Sequence, residues 1–165
     1  MTPYLPAAVL QHEHAPLLDT LRRILVALVD GSLDVAQAGH LLLREQLLDH
    51  AGREERDLLP YLPPDARWPA RVYIAEHHHI ATLLLDAAER VNGHPAYVGD
   101  AETRLRLLDA HHVLRHVLEH HFAREEQGLF VEVREDQCPP AGSATVSRGF
   151  PPSPAQGSGG GDHVG

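Results

Sequence analysis

Two copies of one arrangement of histidine and glutamate constrain this chain more than any other feature. Glu13-His14 precedes His50-Ala-Gly-Arg-Glu54, and Glu76-His77 precedes His121-Phe-Ala-Arg-Glu125. The flanks agree as well, since Leu58-Leu59 and Leu129-Phe130 follow His50 and His121 at matching offsets. A histidine and a glutamate four residues apart lie about one helical turn from each other and share a face. Each half therefore reads as a helix opened by Glu-His and a second helix closed by His-x-x-x-Glu. Four histidines and two carboxylates on a duplicated helix pair describe a paired-metal site inside a four-helix bundle.

Hydrophobic spacing supplies the helices. The first is expected to open near His14-Ala15-Pro16, because proline is tolerated in a first turn, and carries Leu17, Leu21, Ile24, Leu25 and Leu28 to Asp30-Gly31-Ser32. The second runs from about Asp34 through Leu41, Leu43, Leu47 and Leu48 to Leu58-Leu59, where Pro60, Pro63 and Pro64 stop it. The third starts near Trp68-Pro69, carries Val72, Ile80, Leu84, Ala87 and Val91, and ends at Asn92-Gly93-His94-Pro95. The fourth starts near Asp100 and carries Leu107, Leu114, Leu118, Phe122 and Leu129. No segment alternates as a strand does, so the class is all-α, and short connections predict an up-down-up-down bundle. One domain over 10–136 is expected, followed by a proline- and glycine-rich tail over 137–165 with the composition of a disordered extension.

Composition narrows the function. A net charge of -9 with only 14 Lys and Arg leaves little to neutralise phosphates, so nucleic acid is not an expected partner. No window holds the ~20 apolar residues of a membrane span. The single cysteine, Cys138, cannot form an intrachain disulfide, and a cytoplasmic location is the expectation. Fourteen histidines are the compositional outlier, and eight of them fall at 77–79 and at 111, 112, 116, 120 and 121.

In an antiparallel bundle all six motif residues reach the same end. Facing is the second test. His50 and Glu54 lie on the stripe of Leu43, Leu47 and Leu58; His121 and Glu125 lie on that of Leu114, Leu118 and Leu129. His77 shares its stripe with Ile80, Leu84 and Val91, and His14 leads into Leu17, Leu18 and Leu21. Unpaired carboxylates and imidazoles on a core stripe cost several kcal/mol each unless compensated, and a pair of divalent cations compensates them. Imidazole and carboxylate without thiolate suit iron or manganese, with zinc next.

Plainer readings account for other residues. A single His-x-x-x-Glu is most often a solvated ion pair. The stripe His112, His116 and His120 reads as a solvated face, as do His12 and His78, while His79 is rotated off the core stripe but within reach of a neighbouring helix. His111 lies about 15 Å along the axis from His121, too far to share its metal. Tyr73, one turn before His77, is the candidate for an additional ligand or supporting group.

These residues resemble the hemerythrin-like family, the HHE cation-binding domain. Its pattern is an early His, a His-x-x-x-Glu ending the second helix, a His opening the third and a His-x-x-x-Glu ending the fourth. The resemblance covers roughly residues 10 to 135 and includes Glu54-Glu55-Arg-Asp-Leu58 and Glu125-Glu126-Gln-Gly-Leu129. It implies His14, His50, Glu54, His77, His121 and Glu125 as ligands of a non-haem pair of iron ions, oxo-bridged when oxidised, that binds or reacts with O2, peroxide or nitric oxide. Oxygen-carrying hemerythrins have a second histidine four residues on in the third helix and His-x-x-x-x-Asp in the fourth; here those places hold Ala81 and Glu125. The resemblance therefore points to sensing, peroxide-handling or iron-responsive members, with catalase-like or ferroxidase chemistry as the enzymatic form. The alternative is a non-enzymatic iron or redox sensor read by a partner protein. Ferritin-like chemistry expects Glu-x-x-His on two helices, and only Glu76-His77-His78-His79 matches.

Overall fold

A computed structural model describes residues 6–134 and 136. It has four long helices: α1 (Pro6–Asp30), α2 (Leu33–Asp57), α3 (Ala70–Asn92) and α4 (Ala101–Arg124). A 3-10 turn (Leu59–Tyr61) follows α2; a π-helical turn (Glu125–Leu129) and the short α5 (Phe130–Glu132) follow α4. No strand occurs among the described residues. α1 packs on α2 and α4, and α3 packs on the same two helices, so the four close into the expected bundle. The tail at 137–165, with Cys138, lies outside the described residues.

Loops fix the directions of the helices. Gly31 turns α1 into α2 with a φ of 79°, and a Cβ there would meet the Val98 carbonyl oxygen at 2.2 Å. That approach brings the α3–α4 loop alongside: Val98 N–H donates to Gly31 O at 2.9 Å and Leu33 N–H to Ala96 O at 2.7 Å. Asp100 caps α4 by accepting from Thr103 N–H at 2.8 Å. At the opposite end Arg134 N–H donates to Tyr61 O at 3.2 Å.

Apolar packing forms two clusters. The larger runs from Leu17, Leu21 and Ile24 through Leu43, Ile80 and Leu84 to Leu114, Leu118 and Phe122. The smaller one gathers Ala7, Leu10, Leu58, Leu59, Tyr73, Leu129 and Val133. On α1, α2 and α3 the motif residues fall between the two clusters, and at the end of α4 His121 and Glu125 flank Phe122 at the edge of the larger one, so the polar layer is bounded by hydrocarbon on both sides.

α1 departs from its expected start. It begins at Pro6, two turns before His14, and carries Pro16 in its interior. An interior proline costs a helix about 3 kcal/mol. Burying a leucine such as Leu10 contributes about 2 kcal/mol, and Ala7 adds to it, so tertiary packing offsets the break. His14 therefore stands in the middle of a helix. Leu43 and Leu58 are buried as their stripe predicts, His40 joins them on the inward face of α2, and Leu41 and Leu48, off that stripe, are 65% and 56% exposed.

His40 and His111 meet in the larger core. Both are buried, and their Nε2 atoms are 2.8 Å apart. His111 Nδ1–H donates to Leu107 O at 2.6 Å, which leaves its Nε2 as an acceptor for His40 Nε2–H. His40 Nδ1 faces the Ala36 carbonyl without reaching full hydrogen-bonding geometry.

Candidate metal centre

All six motif residues converge and are buried: His14, His50, Glu54, His77, His121 and Glu125. They form two groups whose ligand atoms lie within 4.8 Å of one another, His14, His50, Glu54 and Glu125 in one, Glu54, His77, His121 and Glu125 in the other. Each glutamate turns one oxygen to each group. Glu125 Oε2 is 3.1 Å from His14 Nε2, and its Oε1 is 2.7 Å from His121 Nε2. Glu54 Oε1 is 3.4 Å from His50 Nε2, and its Oε2 is 3.2 Å from His77 Nε2.

These short distances are not hydrogen bonds. The Nε2 atoms of His14, His50 and His77 and all four oxygens of Glu54 and Glu125 are buried without a partner of hydrogen-bonding geometry. The protons are on the other side of the rings. His14 Nδ1–H donates to Glu126 Oε1 at 2.8 Å, His77 to Glu55 Oε1 at 2.8 Å, His50 to Glu13 Oε2 at 3.0 Å and His121 to Glu76 Oε2 at 3.0 Å. A neutral imidazole that donates through Nδ1 presents a lone pair at Nε2. Seven buried atoms thus aim lone pairs at one another, an arrangement that costs several kcal/mol unless a cation lies among them. Histidines buttressed by carboxylates through the far nitrogen are the usual support of metal-ligating rings.

Charge coupling follows from the crowding. Burial lowers the affinity of His77 for a proton, but Glu125, Glu54 and Glu55 outweigh it and raise its pKa to about 10. His50 is raised in the same way, against burial, by Glu125, Glu54 and Glu13. Burial and the Glu125 charge push Glu54 up, whereas the histidines at 121, 14 and 50 overcome burial and hold Glu125 low. Protons and cations compete for the same lone pairs.

The sequence model of the hemerythrin HHE cation-binding domain matches residues 5–137. The chain belongs to the hemerythrin family. No curated protein and no solved structure matches it. A hemerythrin HHE domain binds metal cations, and the two groups above are where this one has the residues to do so.

The geometry adds residues to this hemerythrin domain that the sequence reading left without a role. Glu13, Glu55, Glu76 and Glu126 were visible only as neighbours of ligand positions, yet each carries a histidine. Arg53 pairs with Glu13 at 2.5 Å, and Arg124 pairs with Glu76. The usable signal was the repeat itself, since Glu13 and Glu76, Glu55 and Glu126, and Arg53 and Arg124 occupy matching places in its two halves.

Tyr73 belongs to neither ligand group. It is buried in the smaller cluster, where a Cβ on Gly128 would meet its hydroxyl at 2.7 Å and the Trp68 ring at 2.6 Å. Burial and the nearby Glu125 and Glu132 charges raise its pKa to about 12, so it stays a neutral phenol. The π-helical turn carries Gly128 against these two rings, and π turns are frequent at functional sites. His79 is exposed, as are His12, His78, His112, His116 and His120. Among the described residues no helix is long and apolar enough to cross a membrane.

Proposed function

We propose that this domain holds two non-haem iron ions between four histidines and two bridging glutamates, and binds or reacts with O2, peroxide or nitric oxide there. The convergence of seven partnerless buried lone pairs carries the reading. In it His14 and His50 serve one ion, His77 and His121 the other, and Glu54 and Glu125 span both.

Charge supports bound cations. Seven carboxylates (Glu13, Asp49, Glu54, Glu55, Glu76, Glu125, Glu126) outnumber the two guanidinium groups (Arg53, Arg124) in and around the layer, and with the imidazoles neutral the buried Glu54 and Glu125 charges are uncompensated unless cations lie between them. Two nitrogens and two oxygens per ion are fewer donors than an octahedral ion takes, which leaves positions for a small molecule. Bound iron supplies the electrons for such a reaction. Manganese suits the same donors as iron, and zinc fits them too but brings no redox chemistry. Phe122 stacks on His14 at 4.0 Å, and the two apolar clusters limit water, so the protein's part is to orient the rings and keep the layer dry.

Anaerobic loading with Fe(II), followed by O2 or peroxide, tests the reading. Ferric charge-transfer absorption and consumption of peroxide are expected, and both should vanish in His50→Ala and Glu125→Ala. Protein that retains no iron, or retains it without any change on exposure, contradicts the reading. A single spectral change without turnover would favour the sensor.

A further inference from the structure

The four carboxylates behind the histidines are of two kinds. Glu13 Oε2 accepts from His50 Nδ1–H at 3.0 Å and from Arg53 at 2.5 Å, and Arg53 is itself held by Asp49 at 2.9 Å. Glu76 likewise accepts from His121 Nδ1–H at 3.0 Å and pairs with Arg124 through its other oxygen. Glu126 and Glu55 hold His14 and His77 at 2.8 Å each, and no arginine of the described residues pairs with them. Their side chains are 44% and 37% exposed, against 30% for Glu13 and 22% for Glu76.

The kinds are distributed evenly: each ligand group contains one histidine on an arginine-clamped glutamate and one on a solvent-facing glutamate. A ring whose Nδ1–H is fixed by a clamped carboxylate can turn only by breaking charge-assisted bonds in a half-buried place. A ring on a solvent-facing carboxylate can exchange that bond for water at little net cost. Stacking of Phe122 on His14 restrains tilting of that ring about its Cβ–Cγ bond, so the His14 ring is held by this contact as well as by Glu126.

We propose that each ion has one anchoring histidine, His50 or His121, and one gating histidine, His14 or His77, with Glu126 and Glu55 as the positioning residues that set how fast ions enter and leave. The proposal rests on the paired-iron reading. Ion exchange then proceeds from the Glu126 side for one ion and the Glu55 side for the other, while Glu13 and Glu76 govern how tightly ions are held at equilibrium.

Release of Fe(II) from the anaerobically loaded protein to an excess of a coloured chelator tests it. With Glu126→Gln, half of the iron should leave at least about tenfold faster than in the unsubstituted protein, as expected for loss of a supporting carboxylate. The other half should keep its rate. Glu55→Gln should free the opposite half, and the double variant should release all the iron in one fast phase. Glu13→Gln and Glu76→Gln should instead lower the iron held at equilibrium. Thermal midpoints of the metal-free variants, unchanged, would exclude general loosening. Equal release rates in all variants, with two irons bound at the start, would overturn the gating assignment alone. Failure of the unsubstituted protein to bind iron would overturn the paired-iron reading with it.

Discussion

Two pairs of histidines stand on α2 and α4 at the same sequence separation of 71 residues, His50 with His121 and His40 with His111, and their chemistry is opposite. All four are buried. Around His50 the carboxylates of Glu125, Glu54 and Glu13 overcome burial and raise its pKa. Among the described residues no carboxylate acts on His40, and burial followed by the neighbouring His111 lowers its pKa to about 4, with the Ala36 carbonyl opposing. Burial lowers His111 too, against its bond to Leu107. The comparison teaches that burial alone does not make a histidine a ligand. Nearby carboxylates raise the proton affinity of His50, while burial without them leaves His40 and His111 as a neutral hydrogen-bonded link between helices.

The largest contrast should come from truncating each pair. His50→Ala should empty the centre, whereas His40→Ala should leave ion content intact and cost about 2–4 kcal/mol of stability through a cavity and an unpaired His111. Ten helical residues put the pairs about 15 Å apart, beyond the range at which effects usually couple. Metal analysis beside denaturant unfolding checks both, and loss of ions from His40→Ala would break the comparison.

A smaller effect should appear in the pH dependence. Below about 6.5 the unfolded chain protonates its histidines, but folded His40 stays neutral down to about 4. The unfolded state then binds more protons, so stability falls as pH falls through this window. In the metal-free protein His77, raised to about 10, acts the other way: its contribution is complete below about 6.5 and lost as pH rises toward 10. Replacing both His40 and His111 by leucine should change stability at pH 7.5 by about 1 kcal/mol or less, since both partners become apolar together. The same variant should lose less stability between pH 6.5 and 4.5. An unchanged acid limb would show that the pair does not titrate with unfolding.

The four helices and six convergent residues were legible because duplication placed His and Glu on stripes otherwise filled by leucine. The four supporting glutamates were not, because which neighbour a flanking residue meets depends on the rotation of facing helices. Periodicity says nothing of that rotation. The start of α1 was hidden for another reason: Pro16 reads as a first-turn signal, and tertiary packing of Ala7 and Leu10 in the cluster with Leu58, Leu59, Tyr73 and Val133 holds the turns before it. His40 could have been found. It lies three residues before Leu43 and four after Ala36 on the inward face, and it matches His111 in the second half of the repeat.

Titration of the metal-free protein with Fe(II) under anaerobic conditions, read as bound iron per chain, tests the central claim most directly. A break at two ions is expected, lost in Glu54→Ala and in Glu125→Ala because both glutamates face both ligand groups. A break at one ion, or two ions retained after either substitution, would contradict it.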